Sequence, residues 1–292
     1  VKQDNLRGNF QIALTPTATI DVNAGYADRT FWQPFDGGFF AGMSFQFLTA
    51  PGCAIRCTSA LRSDGNWTNG TQREYVGDVF SVEQKTTEQR FTGSASLNWA
   101  PIDWIHATAT VGLDQSNTYA FRLQTVAQGP NQATAWGPNS AQSFSGKDFE
   151  RNNVNKYSVN LGATATRQIT SRIQSRTSLG AQFFKDETYR GQGQGYGFGS
   201  GVSTPNSASQ RQASEFTTEN ATYGAFAEEQ VSHRDILFAT VGIRTDKNSA
   251  FGRKVSNTIY PRGSLSYVIS DESWFPRVAG IGQVRLRGAV GQ

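Results

Sequence analysis

Two histidines, two cysteines and one methionine in 292 residues leave little material for the commonest kinds of site chemistry. Any histidine-dependent reaction would have to use His106 or His233, and both stand at or just after short turn-like segments, so no catalytic role is assigned and the chain is read as a non-enzyme. No cofactor fingerprint is present either. The run Gly191-Gln192-Gly193-Gln194-Gly195 has G-x-G-x-G spacing with no helix to follow, which does not suit a phosphate. It reads as a loop, flexible or substrate-contacting. No stretch of 18 apolar residues occurs, which rules out a membrane-crossing helix but not a membrane-crossing strand, since a strand shows lipid only at every second residue. Basic blocks are absent too: 27 basic and 23 acidic residues are scattered along the chain, which argues against a nucleic-acid partner. The chain opens at Val1-Lys2-Gln3, without a leader-like apolar segment.

What is present is glycine and aromatic residue, 30 Gly and 12% Phe, Trp and Tyr, at a mean hydropathy of −0.47. That profile favours strands over helices. Period-two alternation bears it out along the chain. Leu6, Phe10, Ile12 and Leu14 alternate with polar neighbours, Thr15-Pro16-Thr17 turns the chain, and Ile20, Val22, Ala24 and Tyr26 follow. The scheme recurs at Phe91 to Leu113 around a turn at Ala100-Pro101-Ile102-Asp103. It recurs at Tyr157 to Phe183 around Ile169 to Arg172, at about Glu215 to Asp246 around Ser232 to Asp235, and from Ile259 to Val290. Long polar stretches separate the hairpins, at about 33–87, 114–152 and 191–212. About ten strands follow, each about 10 residues or more, with connections alternately tight and long. Tyr26, Trp99, Trp104, Tyr157 and Tyr267 fall where an interfacial aromatic girdle would sit. The expected fold is all-β: an antiparallel up-and-down transmembrane barrel.

Sidedness can be stated residue by residue. Val22, Leu97, Val111, Leu161, Leu179 and Leu265 should share the lipid face. Arg7, Arg176, Arg244, Arg262, Arg285 and Arg287 should face a wet lumen, because a sealed core would have to pair each charge. Closing only ten strands would crowd those arginines without enough acidic partners, so an open curved sheet is expected.

Tyr223-Gly224-Ala225-Phe226-Ala227-Glu228-Glu229-Gln230, Arg234-Asp235-Ile236-Leu237-Phe238, the run from Gly242 to Gly252, Tyr260-Pro261-Arg262-Gly263-Ser264-Leu265-Ser266-Tyr267 and Leu286-Arg287-Gly288-Ala289-Val290-Gly291 resemble the SusC/RagA group of TonB-dependent receptors. The resemblance covers about residues 222–292; upstream only the hairpin pattern agrees. It implies a barrel of about 22 strands closed by an N-terminal plug, located in the bacterial outer membrane. It further implies nutrient import of glycan or peptide energised by TonB, and a SusD-like surface lipoprotein as partner. No plug or TonB-contacting segment is recognisable here, so residues 1–292 are expected to be one part of such a barrel domain. A passive porin-like or structural barrel, and an exported soluble β-protein, are the alternatives.

Two site expectations concern the long polar stretches and their margins. Cys53 and Cys57 are close enough in sequence for a small loop disulfide in an exported protein, with free thiols as the alternative, and no metal is expected. Trp32, Phe35, Phe39, Phe40, Trp67 and Trp136 are the candidate ligand contacts, because sugar rings stack on exposed aromatic faces. The competing reading is that they pack the loops or join the girdle.

Overall fold

The computed structural model describes residues 1–33, 82–124, 146–199, 201–252, 258–276, 280 and 282–291. Cys53, Cys57, Phe35, Phe39, Phe40, Trp67 and Trp136 lie outside the described residues. Ten strands form one antiparallel sheet in chain order: β1 (Lys2–Thr15), β2 (Ala18–Trp32), β3 (Val82–Ile102), β4 (Ile105–Gln124), β5 (Gly146–Thr170), β6 (Ile173–Tyr196), β7 (Gln210–His233), β8 (Leu237–Asn248), β9 (Thr258–Val268) and β10 (Arg285–Gly291). Each strand pairs with its sequence neighbours, and among the described residues no ladder joins β1 to β10. The sheet is open, as expected.

Directly paired residues share a face, so register fixes sidedness. One row runs Phe10, Val22, Ala95, Val111, Val159, Phe183, Tyr223 across seven strands. Leu97, Leu161, Leu179 and Leu265 have the same parity on their strands. The adjacent row on the other face runs Asp21, Ser96, Thr110, Asn160, Gln182, Gly224, Asp246. All six named arginines lie on that second face. The two expected sets therefore separate cleanly.

The apolar face is a belt of limited height. It occupies residues 18–26 of β2, 91–99 of β3, 105–113 of β4 and 157–165 of β5. Nine residues rise about 27 Å along a strand, or about 21 Å of depth at a tilt of ~40°, close to the ~25 Å band of outer-membrane barrels. Tyr26, Phe91, Tyr157, Phe183 and Tyr223 mark one edge of the belt, and Trp99, Trp104 and Tyr267 the other. Among the described residues neither face is covered by a second layer. Val111 is 52% exposed and Leu161 50%, and among the described residues buried apolar side chains are confined to six near strand ends and turns: Ala18, Val82, Phe198, Ala208, Ile236 and Val268. A soluble sandwich would have sealed the apolar face, and no described residue seals it here.

Three details depart from the sequence reading. First, the strands outrun the belt. β5 starts at Gly146, and Gly191 to Tyr196, read as loop, belong to β6 and pair with Gln210 to Glu215. Backbone ladder bonds need no particular side chain, and aromatic rings cover the glycines: the Phe149 ring lies over its partner Gly193, and Tyr196 over Gly146. Second, the connection from β9 to β10 is long, although it lies at the tight-turn end. Its start folds into a 3-10 turn, Ile269–Asp271, near the buried Val268 and Ile236. Third, the strand after it begins at Arg285, one residue beyond Val284.

Candidate functional site

The inner, polar face is the surface able to meet a solute, and its chemistry follows from strand parity. Even-numbered positions of β3–β6 all point inward, so acids and bases directly opposite or two positions diagonal on neighbouring strands meet there. Above the level of the belt, Arg90 makes a two-pronged bond to Asp114, Nε to Oδ1 at 2.9 Å and Nη2 to Oδ2 at 2.6 Å. Farther out, Arg122 pairs with Asp148, which also accepts from the Tyr196 hydroxyl at 2.8 Å. Glu150 accepts from Arg190 at 2.6 Å and from Gln192 at 2.8 Å. The Arg190 guanidinium holds the Glu150 carboxyl below the usual carboxylate range. Burial, and then the bond to Asp148, push the Tyr196 phenol up to about 12.

The inner face within the belt repeats the theme. Arg244 binds Asp246 at 2.8 Å and donates to Gln182 at 2.9 Å, and Arg262 pairs with Glu228. Arg285 lies 5.9 Å from the Phe238 ring. Of the lumen arginines expected to have too few acidic partners, Arg244 and Arg262 have one each among the described residues. Hydroxyls and amides fill the gaps, with Ser96 bonded to Thr110 at 2.9 Å and Gln182 to Asn160 at 3.2 Å.

Among the named candidate aromatics, Trp32 is the described one. It ends β2 on the outer parity, about 15 Å above the Tyr26 level by rise and tilt. Lys85, its cross-strand partner, stands 5.4 Å over its ring. Beside it, Lys147 lies over Phe121 at 4.6 Å and Arg151 over Tyr119 at 5.0 Å, so the outer side of the projecting strands alternates cations with aromatic rings. Trp32 thus stands outside the polar wall rather than on it. His106 and His233 have opposite parity and face opposite sides of the sheet, so they do not form a common site. Among the described residues no group of His, Cys, Asp and Glu has the arrangement to hold a metal ion.

No family model matches the chain, and no curated protein does. Solved structures do. The RagAB peptide transporter superposes with a TM-score of 0.77 over 99% of this chain at 15% identity. The RagAB peptide importer in its closed-closed and open-open states gives the same values. The fold is that of part of the β-barrel in the RagAB structures. The chain spans 32% of the length of those RagAB chains. The tight β-turns lie at one rim of the sheet, and strands β3–β7 project beyond the apolar belt at the other. The inner ion-pair ladder lines the polar face of the sheet. Strand parity puts Asp114, Asp148 and Glu150 on the same face as Arg90, Arg122 and Arg190, and register decides which of them meet.

Proposed function

We propose that the chain is part of the wall of an outer-membrane active transporter that imports a nutrient, with peptide as the favoured class over glycan. The carrying observation is the single-layer sheet whose outer face is a bilayer-height apolar belt and whose inner face is a paired polar wall. The likeness of nearly the whole chain to a peptide transporter supports the choice of cargo. A wall of alternating guanidinium, carboxylate, hydroxyl and amide groups offers partners to peptide backbones and to both peptide termini. In this reading the barrel is completed by further strands, a plug carries the contact with TonB, and a SusD-like surface lipoprotein meets the outer end. The segment itself supplies lining and lipid contact, with no catalytic step.

The test is uptake of a fluorescent oligopeptide by cells carrying the full-length protein, with and without TonB. Uptake that requires both is the expected result. TonB-independent uptake would replace this reading with a passive channel, and uptake of glycan but not peptide would overturn the cargo. Substituting Asp148 and Glu150 together by Asn and Gln should alter peptide uptake while leaving the amount of folded barrel unchanged.

A further inference from the structure

The outer face is not uniformly convex. Between β5 and β8 it carries a groove of ≈ 510 Å³. Its floor is the cross-strand pair Ala181 and Ala225. Leu161 and Val159 form one bank, Thr245 and Lys247 the other. Phe183 and Tyr223, with ring centroids 4.9 Å apart, wall its outer end. Register explains the depression: one row reads Leu161, Ala181, Ala225, Thr245 and the next reads Val159, Phe183, Tyr223, Lys247. Two alanines side by side between larger neighbours leave the volume of two missing side chains on a surface that faces hydrocarbon.

The charge at its rim completes the site. Phe183 and Tyr223 lie at the outer edge of the belt, so Lys247, paired with Tyr223, stands at headgroup height. The other lysine nearby, Lys185, is held by Glu187 at 2.6 Å and Glu219 at 2.9 Å, which also occupies those two carboxylates. Asp246 points to the other face and is held by Arg244. Among the described residues none bonds or pairs with Lys247, which leaves it able to serve an anion from outside.

We infer that this groove is a binding site for a single anionic lipid of the outer leaflet: an acyl chain lies over Ala181 and Ala225 and the phosphate meets Lys247. An acyl chain fits because the lining is apolar and open toward the bilayer, and a phosphate fits because Lys247, unpaired among the described residues, sits where the headgroup layer begins. The inference depends on the membrane orientation of the sheet and not on what the transporter carries.

The test uses the full-length protein, delipidated in detergent and titrated with phosphatidylglycerol or phosphatidylcholine under native mass spectrometry. Phosphatidylglycerol should bind about fivefold more tightly, the effect of one lysine at a membrane surface. Lys247→Glu should abolish that preference and Lys85→Glu, a lysine on the same face but away from the groove, should keep it. Ala225→Leu should weaken binding of both lipids by filling the floor. Heat-modifiable migration verifies that each variant is folded. Equal affinity for the two lipids, or an unchanged preference in Lys247→Glu, overturns the site. So does displacement of the lipid by glycerol 3-phosphate at equal concentration, which would mean the chain contact contributes nothing. A dimer lost in Ala225→Leu would overturn it as well, by making a second copy the occupant.

Discussion

Arg234 and Asp235 both adopt left-handed backbone, at φ 54° and 56°, at the centre of the His233–Ile236 turn that joins β7 to β8. Such a turn matches the right-handed twist of its strands but asks two ordinary residues to bear a conformation that Asn-Gly accepts readily. The Arg234 to Glu272 contact, 3.8 Å and half exposed, offsets little of that. Replacing the pair by Asn-Gly should therefore stabilise the full-length barrel by about 1 kcal/mol, read as a rise in the urea midpoint. Glu229 is the second residue out of pattern. It shares the outer parity of Ala227 and Val231, inside the belt, and accepts from Ser175 and Thr177 at 2.5 Å each. Those two hydroxyls account for its acceptance on a lipid-facing surface. Glu229→Gln, which retains an acceptor, should be tolerated; Glu229→Lys should cost about 2 kcal/mol in the same unfolding measurement, since it puts a cation against hydrocarbon and donors against donors.

At the scale of the strand, alternation in the sequence tracks the lipid rather than the strand. Within the belt one face is apolar and the other polar, and Ile105 to Leu113 or Tyr157 to Ala165 announce themselves. Beyond it both faces are polar, so Gly146 to Lys156, Lys185 to Tyr196 and Gln210 to Asn220 carry no period although they are paired residue for residue. The same change explains why Tyr26 and Tyr157, read as lying near strand ends, mark the end of the belt while their strands continue. The ion pairs were hidden for a different reason: Arg122 and Asp148 are 26 residues apart and meet only through a register that the sequence does not specify. Of the aromatics proposed to meet ligand, Trp32 turned outward because parity, not side-chain type, decides the face. The projecting strands also carry a pH signature. Tyr196 loses its proton near 12 in the fold, above the ordinary phenol at ~10. A raised pKa means that the protonated phenol contributes stability fully below about pH 10, and that this contribution is lost as pH rises toward 12. In a spectrophotometric titration at the tyrosinate band, Tyr196→Phe should remove absorbance from the last part of the curve. Loss of amplitude near pH 10 instead would place Tyr196 in water.

At the scale of the whole molecule, ten strands in register make a surface but not a closed one. β1 exposes one edge of backbone N–H and C=O groups and β10 the other, and neither edge meets the other among the described residues. In hydrocarbon each unsatisfied group costs several kcal/mol, so only closure or further strands would make the sheet tolerable in a membrane. In water the problem changes form without easing. The outer belt then exposes Phe10, Val111, Leu161, Leu179, Val241, Leu265 and Leu286 on one continuous face, far more than the scattered apolar residues a soluble surface carries. Tightening the curvature until β1 met β10 would force the inner side chains into a narrow lumen. The pairs Arg90–Asp114, Arg244–Asp246 and Arg262–Glu228 are charge-balanced, but Arg7, Arg176, Arg285 and Arg287 carry no ion pair among the described residues and would have to be packed against them. Both escapes are therefore expensive, and residues 1–292 expressed alone should form inclusion bodies, as unpaired edges recruit other copies. After refolding into detergent they should show no heat-modifiable band, whereas the full-length protein should show one. A soluble, detergent-free monomer of residues 1–292 would mean that the apolar face finds cover within the chain, and the membrane assignment of that face would fall with it.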